Sequence, residues 1–215
     1  MLLCVIMTVV GFLSGSIMFS YLLPKYVRKV DIRHDSEDGN PGSMNAIIAV
    51  GPLLGIFCMT LDVLKAFIPV FISVSFLDVS GYYLIPVMVA PVLGHAFSPF
   101  LNFRGGKAVS VAFGSLLGAI NISMALFILI IIMVFFRFIV VLNPDSIKVI
   151  TVFSLAGIIV LIFEPLAPIK IAMIIIGLVV CGKHLANPNS GEISVAIGSF
   201  KITHKGRNLE SKKKI

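Results

Sequence analysis

Six long apolar runs, at about residues 2–23, 46–77, 82–97, 108–142, 147–163 and 166–182, leave this chain little choice of environment. A helix needs roughly 20 mostly apolar residues to cross about 30 Å of hydrocarbon, and most of these runs have that length. The fourth is too long for one crossing, and splitting it near Asn121 gives seven spans. The second is also long and carries Asp62 and Lys65; it reads as one tilted or broken helix. Composition supports this, since 58% of the 215 residues are hydrophobic, only 13% are charged, and mean hydropathy is +1.08. No soluble domain has enough interior for so much apolar surface. The first run lacks a basic start and is followed by equally apolar segments, so it is expected to be a retained helix rather than a removable signal peptide. The fold class expected is all-α, a polytopic transmembrane helical bundle of about seven spans.

Charge then orients the bundle. With the N-terminus outside, the loops holding Lys25, Arg28, Lys29 and Arg33, then Arg104 and Lys107, then Arg137 and Lys148, all face the cytoplasm, as does the C-terminal tail. The opposite loops hold Asp78 and Glu164, with only Lys170 just inside the last span, so the excess of Lys and Arg lies inside. A hairpin at Asp62 would invert every later loop. The expected organisation is a single membrane domain over residues 1–192 and a basic cytoplasmic tail over 193–215. The net charge of +7 fits topology and attraction to anionic lipid, with no nucleic-acid partner. Cys4, Cys58 and Cys181 show no paired spacing and read as small apolar residues, not a disulfide or zinc framework.

Function must lie in three polar islands, because polar groups at membrane depth are expensive and tend to line sites. The first joins Ser14-Gly15-Ser16 to the loop from Asp31 to Asn45. At its end Asn40, Gly42, Ser43 and Asn45 precede an apolar helix, where close backbone approach and free N–H groups attract an anion. The plain alternative is a turn followed by a Ser or Asn cap. The second island runs from Gly94-His95 to Gly105-Gly106-Lys107, and a double glycine followed by lysine at a helix start suits phosphate. It lacks the spacing and hydroxyl of a Walker A loop. Its plain alternative is a loop whose basic residues only set topology, and His95 alone would be structural. The third, Gly182 to Glu192, brings His184 to the same face. Together they predict a phosphate-bearing ligand reached from the cytoplasm.

These residues resemble the bacterial acyl-phosphate:glycerol-3-phosphate acyltransferases (PlsY). The agreement runs through Gly15-Ser16-Ile17, Asp31-Ile32-Arg33, Gly39-Asn40-Pro41-Gly42 with Asn45, and Asp62 with Lys65. The most specific part is Gly94, His95, Pro99, Phe100, Phe103, Gly105, Gly106 and Lys107, and His184 with Asn187 follows. The resemblance covers about residues 10–192. It implies transfer of a fatty acyl group from acyl phosphate to the 1-hydroxyl of glycerol 3-phosphate, releasing phosphate and lysophosphatidic acid, at a bacterial cytoplasmic membrane. The implied partners are these two substrates and membrane lipids, and no cofactor or metal is expected. His95, His184 and Asn187 would be the catalytic group. Ser16, Arg33, Gly39, Asn40, Gly42, Ser43, Asn45, Gly105, Gly106 and Lys107 would hold phosphate. Asp62, Lys65 and Glu192 remain unassigned between site and scaffold.

The chain departs from that pattern in ways with physical meaning. Glu37-Asp38 stand where the family has Gly-Ser, with one extra residue after Arg33, which puts negative charge beside the expected cradle. Ser43 and Met44 replace Ala-Thr, and the stretch after Asn187 is shortened and lacks an arginine. A non-catalytic or altered-specificity relative that binds a phosphate-bearing ligand is the alternative. A small transporter is the weaker one, since no duplicated half is visible.

Overall fold

A computed structural model describes residues 1–34, 36, 38–189, 191–197 and, as backbone, 200–204. The chain winds through α1 (Leu2–Ser16), α2 (Phe19–Leu23), α3 (Ser43–Val50), α4 (Pro52–Ser75), α5 (Leu84–Ala96), α6 (Val109–Gly118), α7 (Ala125–Phe138), α8 (Asp145–Phe163) and α9 (Ala167–Ala186). Five helical stretches are long and apolar enough to cross a membrane: Leu2–Arg28, Pro52–Ser75, Gly81–Leu101, Asp145–Phe163 and Ala167–Ala186. The shorter apolar helices α6 and α7 lie where the fourth run was expected to split, on either side of Asn121.

The second run is broken, and the break has a local cause. Gly51 takes a left-handed φ of +86° and Pro52 opens α4, so α3 folds back against the start of α4 rather than extending it. The approach is close enough that a Cβ on Gly55 would stand 2.4 Å from Ile47 Cα. Asp62 lies mid-helix in α4, where the absence of a hairpin was expected.

Two stretches form strands that their hydropathy did not announce. β1 (Val140–Asn143) closes the fourth apolar run, and β2 (Ile193–Ile197) and β3 (Phe200–His204) occupy the stretch expected to be only a basic tail. They make an antiparallel sheet in the order β1-β2-β3, with Val141 opposite Ala196 and Val195 opposite Ile202. The β-branched residues at 140–141 and the alternation of Ile193, Val195 and Ile197 favour this extended pairing.

Packing places α5 at the centre: 61% of its span window is buried, against 28–39% for the other four. Small residues let α1 approach it, since a Cβ on Gly15 would meet Pro91 O at 2.2 Å and one on Gly94 would meet Phe12 O at 2.2 Å. Val87, Met88 and Val92 of α5 pack with Val111 and Leu116 of α6, Phe153 of α8, and Met173 and Ile176 of α9. Leu53, Ile131, Ile162 and Leu178 face outward, as lipid-facing residues do.

Candidate functional site

The first membrane helix is interrupted, and the interruption organises a buried polar chain. Between α1 and α2 the backbone at Ile17 is extended, which frees carbonyls that have no helical partner. Ser98 Oγ donates to Ser16 O at 2.7 Å, and Lys65 Nζ donates to Ile17 O. Lys65 also pairs with Asp62 at 2.7 Å and donates to His95 Nδ1 at 3.0 Å. Asp62 in turn accepts from the Ser20 hydroxyl and from Ser20 N–H at 3.3 Å. The paired charges satisfy one another and the broken backbone, as ions inside a membrane protein must.

That chain leads to two helix starts facing each other. Ser20 Oγ lies 3.2 Å from Ser43 Oγ, in the first turn of α3, and Ser43 Oγ lies 2.9 Å from Ser110 Oγ, in the first turn of α6. Gly42 and Ala108, which precede these helices, supply no side-chain cap. The first N–H groups of both helices, with the positive ends of their dipoles, therefore meet at one place. Lys107 adds a buried ammonium directly before α6. The approach to α6 is held in an unfavourable conformation, with Asn102, Phe103 and Ala108 all at positive φ of 52–61°.

A third helix start joins through residues that sequence reasoning did not select. Ser146, buried in the first turn of α8, donates to Asn189 Oδ1 at 2.8 Å and accepts from Asn189 N–H at 2.7 Å. The same Asn189 Oδ1 accepts from Lys107 Nζ at 3.2 Å. A serine in the first turn after the second polar island was the available signal for Ser110, and one beside Asp145 at the start of an apolar run was the signal for Ser146. Asn189 had none, because only the fold carries it to Lys107.

The expected site residues divide accordingly. His95, Lys65, Asp62 and Ser43 share one chain of polar contacts through Ser20, and Asn45, Asp38 and Lys107 form a second with Asn189. Asn45 Nδ2 donates to Asp38 Oδ1 and to Asn40 O, each at 2.9 Å. Asn40 N–H donates to Asp38 Oδ1 at 3.1 Å. Gly42 is buried under the Asn40 amide, and Gly39 turns the loop at φ +60°. Ser16 donates to Phe12 O within α1 and is fully buried there. Asn187 and Glu192 are exposed, and Glu37 lies outside the described residues.

Gly105 and Gly106 admit His95. A Cβ on Gly105 would meet His95 O at 1.9 Å, and one on Gly106 would meet His95 Nε2 at 2.3 Å. Gly106 N–H also donates to His95 O at 3.1 Å. Their lack of side chains thus seats the histidine against the loop that carries Lys107.

The two histidines are held in opposite tautomers. Lys65 can only donate to His95 Nδ1, so His95 carries its proton on Nε2 and presents a donor. His184 Nδ1 donates to Val180 O at 2.8 Å, which leaves Nε2 with a lone pair. Next to it, Lys183 Nζ donates to Ala96 O at 3.0 Å and closes the C-terminal end of α5.

Arg33 is engaged by its own loop. It bonds Asp31 through Nε at 3.0 Å and Nη2 at 2.8 Å, donates to Tyr21 Oη at 2.7 Å, and lies 4.3 Å from the Tyr21 ring. The Arg33 hydrogen bonds hold the Asp31 carboxyl well below the usual carboxylate range, and Asp31 raises Arg33 in return. Burial alone would raise Asp38. Hydrogen bonds from Lys107, Asn45 and Asn40 N–H outweigh it and hold that carboxyl below its ordinary value.

Among the described residues no group of three His, Cys, Asp or Glu side chains is placed to hold a metal ion. The site instead offers helix N–H groups, the Lys107 ammonium, hydroxyls and two oppositely protonated imidazoles, which together suit a phosphate and a proton transfer.

The chain is similar to known proteins in both sequence and fold. The profile of the family described as glycerol-3-phosphate acyltransferase matches residues 5–190. Glycerol-3-phosphate acyltransferase 2 of Thermotoga maritima is 43% identical over 106 residues, covering 49% of this chain and 53% of that protein. The glycerol-3-phosphate acyltransferase of Pseudothermotoga lettingae is 44% identical over 111 residues, covering 51% and 54%. The aligned part of this chain thus spans about half the length of the curated relatives it matches. The crystal structure of PlsY (YgiH), an integral membrane glycerol 3-phosphate acyltransferase, in its glycerol 3-phosphate form superposes with a TM-score of 0.75 at 26% identity, covering 86% of this chain and 89% of that one. The lysophosphatidic acid form superposes with a TM-score of 0.72 at 27% identity over the same shares.

Proposed function

Because the chain belongs to the glycerol-3-phosphate acyltransferase family, we propose that it transfers a fatty acyl group from acyl phosphate to the 1-hydroxyl of glycerol 3-phosphate, yielding lysophosphatidic acid and phosphate. The reaction takes place at the inner face of a bacterial cytoplasmic membrane. The bundle crosses seven times, with its N-terminus outside and C-terminus inside, so that the islands around Ser43, Lys107 and Asn189 face the cytoplasm. The observation that carries this reading is the meeting of two uncapped helix starts at Ser43 and Ser110 beside Lys107. The likeness to a solved acyltransferase in glycerol 3-phosphate and lysophosphatidic acid forms supports it.

An acyl phosphate is already activated, so positioning and charge stabilisation can supply most of the catalysis. The glycerol hydroxyl attacks the acyl carbonyl carbon, the carbon–oxygen bond to phosphate breaks, and phosphate leaves. Lys107, the first N–H groups of α3 and α6, and the hydroxyls of Ser43 and Ser110 hold the phosphates. His184 accepts the hydroxyl proton through its Nε2 lone pair, and His95 orients as a donor. Asp62 and Lys65 position His95 and Ser43.

The test supplies purified protein in lipid with palmitoyl phosphate and glycerol 3-phosphate. Lysophosphatidic acid and phosphate are expected in equal amounts. No product above a protein-free control, across several chain lengths, overturns the proposal. One observation favours a second reading, a relative of altered affinity or specificity: Asp38 already bonds Lys107.

A further inference from the structure

Four cation–carboxylate pairs surround the polar end among the described residues: Arg33 with Asp31, Lys65 with Asp62, Lys107 with Asp38, and Lys148 with Asp145. Three of them join residues two or three positions apart, so local chain geometry brings them together. Lys107 and Asp38 are different, since they lie on separate islands and meet only through the fold.

The surroundings of Asp38 are those of a bound anion. Its Oδ2 lies 2.7 Å from Lys107 Nζ, and its Oδ1 accepts from Asn45 Nδ2 at 2.9 Å and from Asn40 N–H at 3.1 Å. Both side chains of the pair are more than nine-tenths buried, at 8% exposure for Lys107 and 7% for Asp38. One ammonium, one amide and one backbone N–H are the donors that a phosphate oxygen would seek. Here a carboxylate of the chain already holds them.

We propose that Asp38 sets the affinity of the Lys107 subsite by competing, as a resident carboxylate, with the phosphate of the incoming substrate. This rests on the acyltransferase reading for the identity of that substrate, though not for the competition itself. A phosphate reaching Lys107 must displace Asp38 or bind beside it against like charge. The position thereby weakens ground-state binding of phosphate and favours release of the phosphate product. The resemblance places a serine there, without a competing charge, and Asp38→Ser restores it.

Titration calorimetry with inorganic phosphate tests this on the full chain in detergent, using wild type, Asp38→Asn, Asp38→Ser, Lys107→Ala and the double variant Asp38→Asn/Lys107→Ala. Size exclusion and thermal unfolding establish that each is folded, and the two Asp38 variants guard against a defect of either one. Removing a charged hydrogen-bonded competitor should tighten phosphate binding about tenfold. The gain should vanish in the Lys107→Ala background. Unchanged or weaker binding in both folded Asp38 variants overturns the proposal, as does an equal gain without Lys107. In the lysophosphatidic acid assay the KM for glycerol 3-phosphate should fall by the same factor. Tighter phosphate binding with no lysophosphatidic acid from any variant would sink the acyltransferase reading and leave the competition standing. Product formation with unchanged phosphate affinity would do the reverse.

Discussion

The two ends of α6 treat the same physical problem in opposite ways. At its N-terminal end, the first turn of α6 faces the first turn of α3 through Ser110 and Ser43, and neither helix start has a side-chain cap. At its C-terminal end the next helix, α7, begins on a buried carboxylate. Glu164 accepts from Ser123 Oγ at 2.8 Å and from Met124 N–H at 3.1 Å, and its other oxygen accepts from Leu166 N–H at 3.4 Å. A helix start closed by its own chain is scaffold, because its donors are satisfied. A pair of starts left open beside an ammonium is a place for a ligand. Asp38 stands between these cases, since it satisfies Lys107 from a loop rather than capping a helix.

The comparison breaks most readily at Lys107. If the open end is the phosphate site, Lys107→Ala should lower lysophosphatidic acid formation by at least about 100-fold while the protein stays folded. Near-normal turnover would move the site elsewhere. Gly106→Ala comes next, because the new methyl would collide with the His95 ring. A loss of about tenfold in kcat, with the melting midpoint little changed, is expected for a misplaced orienting group. Full activity would show that the ring moves aside freely.

The closed end should respond in the other currency. Glu164→Ala leaves the Ser123 hydroxyl, the Met124 N–H and the Leu166 N–H without their acceptor and should destabilise the protein by about 1–3 kcal/mol. The specific activity of the molecules that remain folded should be kept. A large fall in kcat with stability intact would mean that the two ends are coupled.

Acid gives the smallest effect. Asp31 and Asp38 both have carboxyls held below their ordinary values, so the stability they contribute is complete above the unfolded carboxylate pKa and is lost as pH falls through the folded values. The thermal midpoint should hold between about pH 7 and 5 and decline below about pH 4, where free carboxylates titrate. A decline already complete at pH 5 would contradict both pairings.

Much of the fold was legible in the sequence because lipid imposes a simple rule: an apolar run of sufficient length must be a helix with its backbone satisfied internally. The runs, the split at Asn121 and the uninterrupted helix through Asp62 follow from that rule. The strands at 140–143 and 193–204 do not, since a few β-branched residues become a sheet only when a distant partner arrives. The fold-back of α3 had a sequence sign in Gly51-Pro52, but its direction is set by packing of Gly55 on Ile47.

The site divides along the same line. Sequence by itself determined which residues were candidates, because glycine, lysine, histidine and asparagine at membrane depth are costly without a purpose, and their order resembles one family. Tertiary structure alone decided their relations. It put Ser43 against Ser110, brought Asn189 rather than Asn187 to Lys107, gave the two histidines opposite tautomers, and set Asp38 on the lysine expected to be free for phosphate. Hydrogen bonds act over about 3 Å, and chain order does not say which distant side chains will come within that reach.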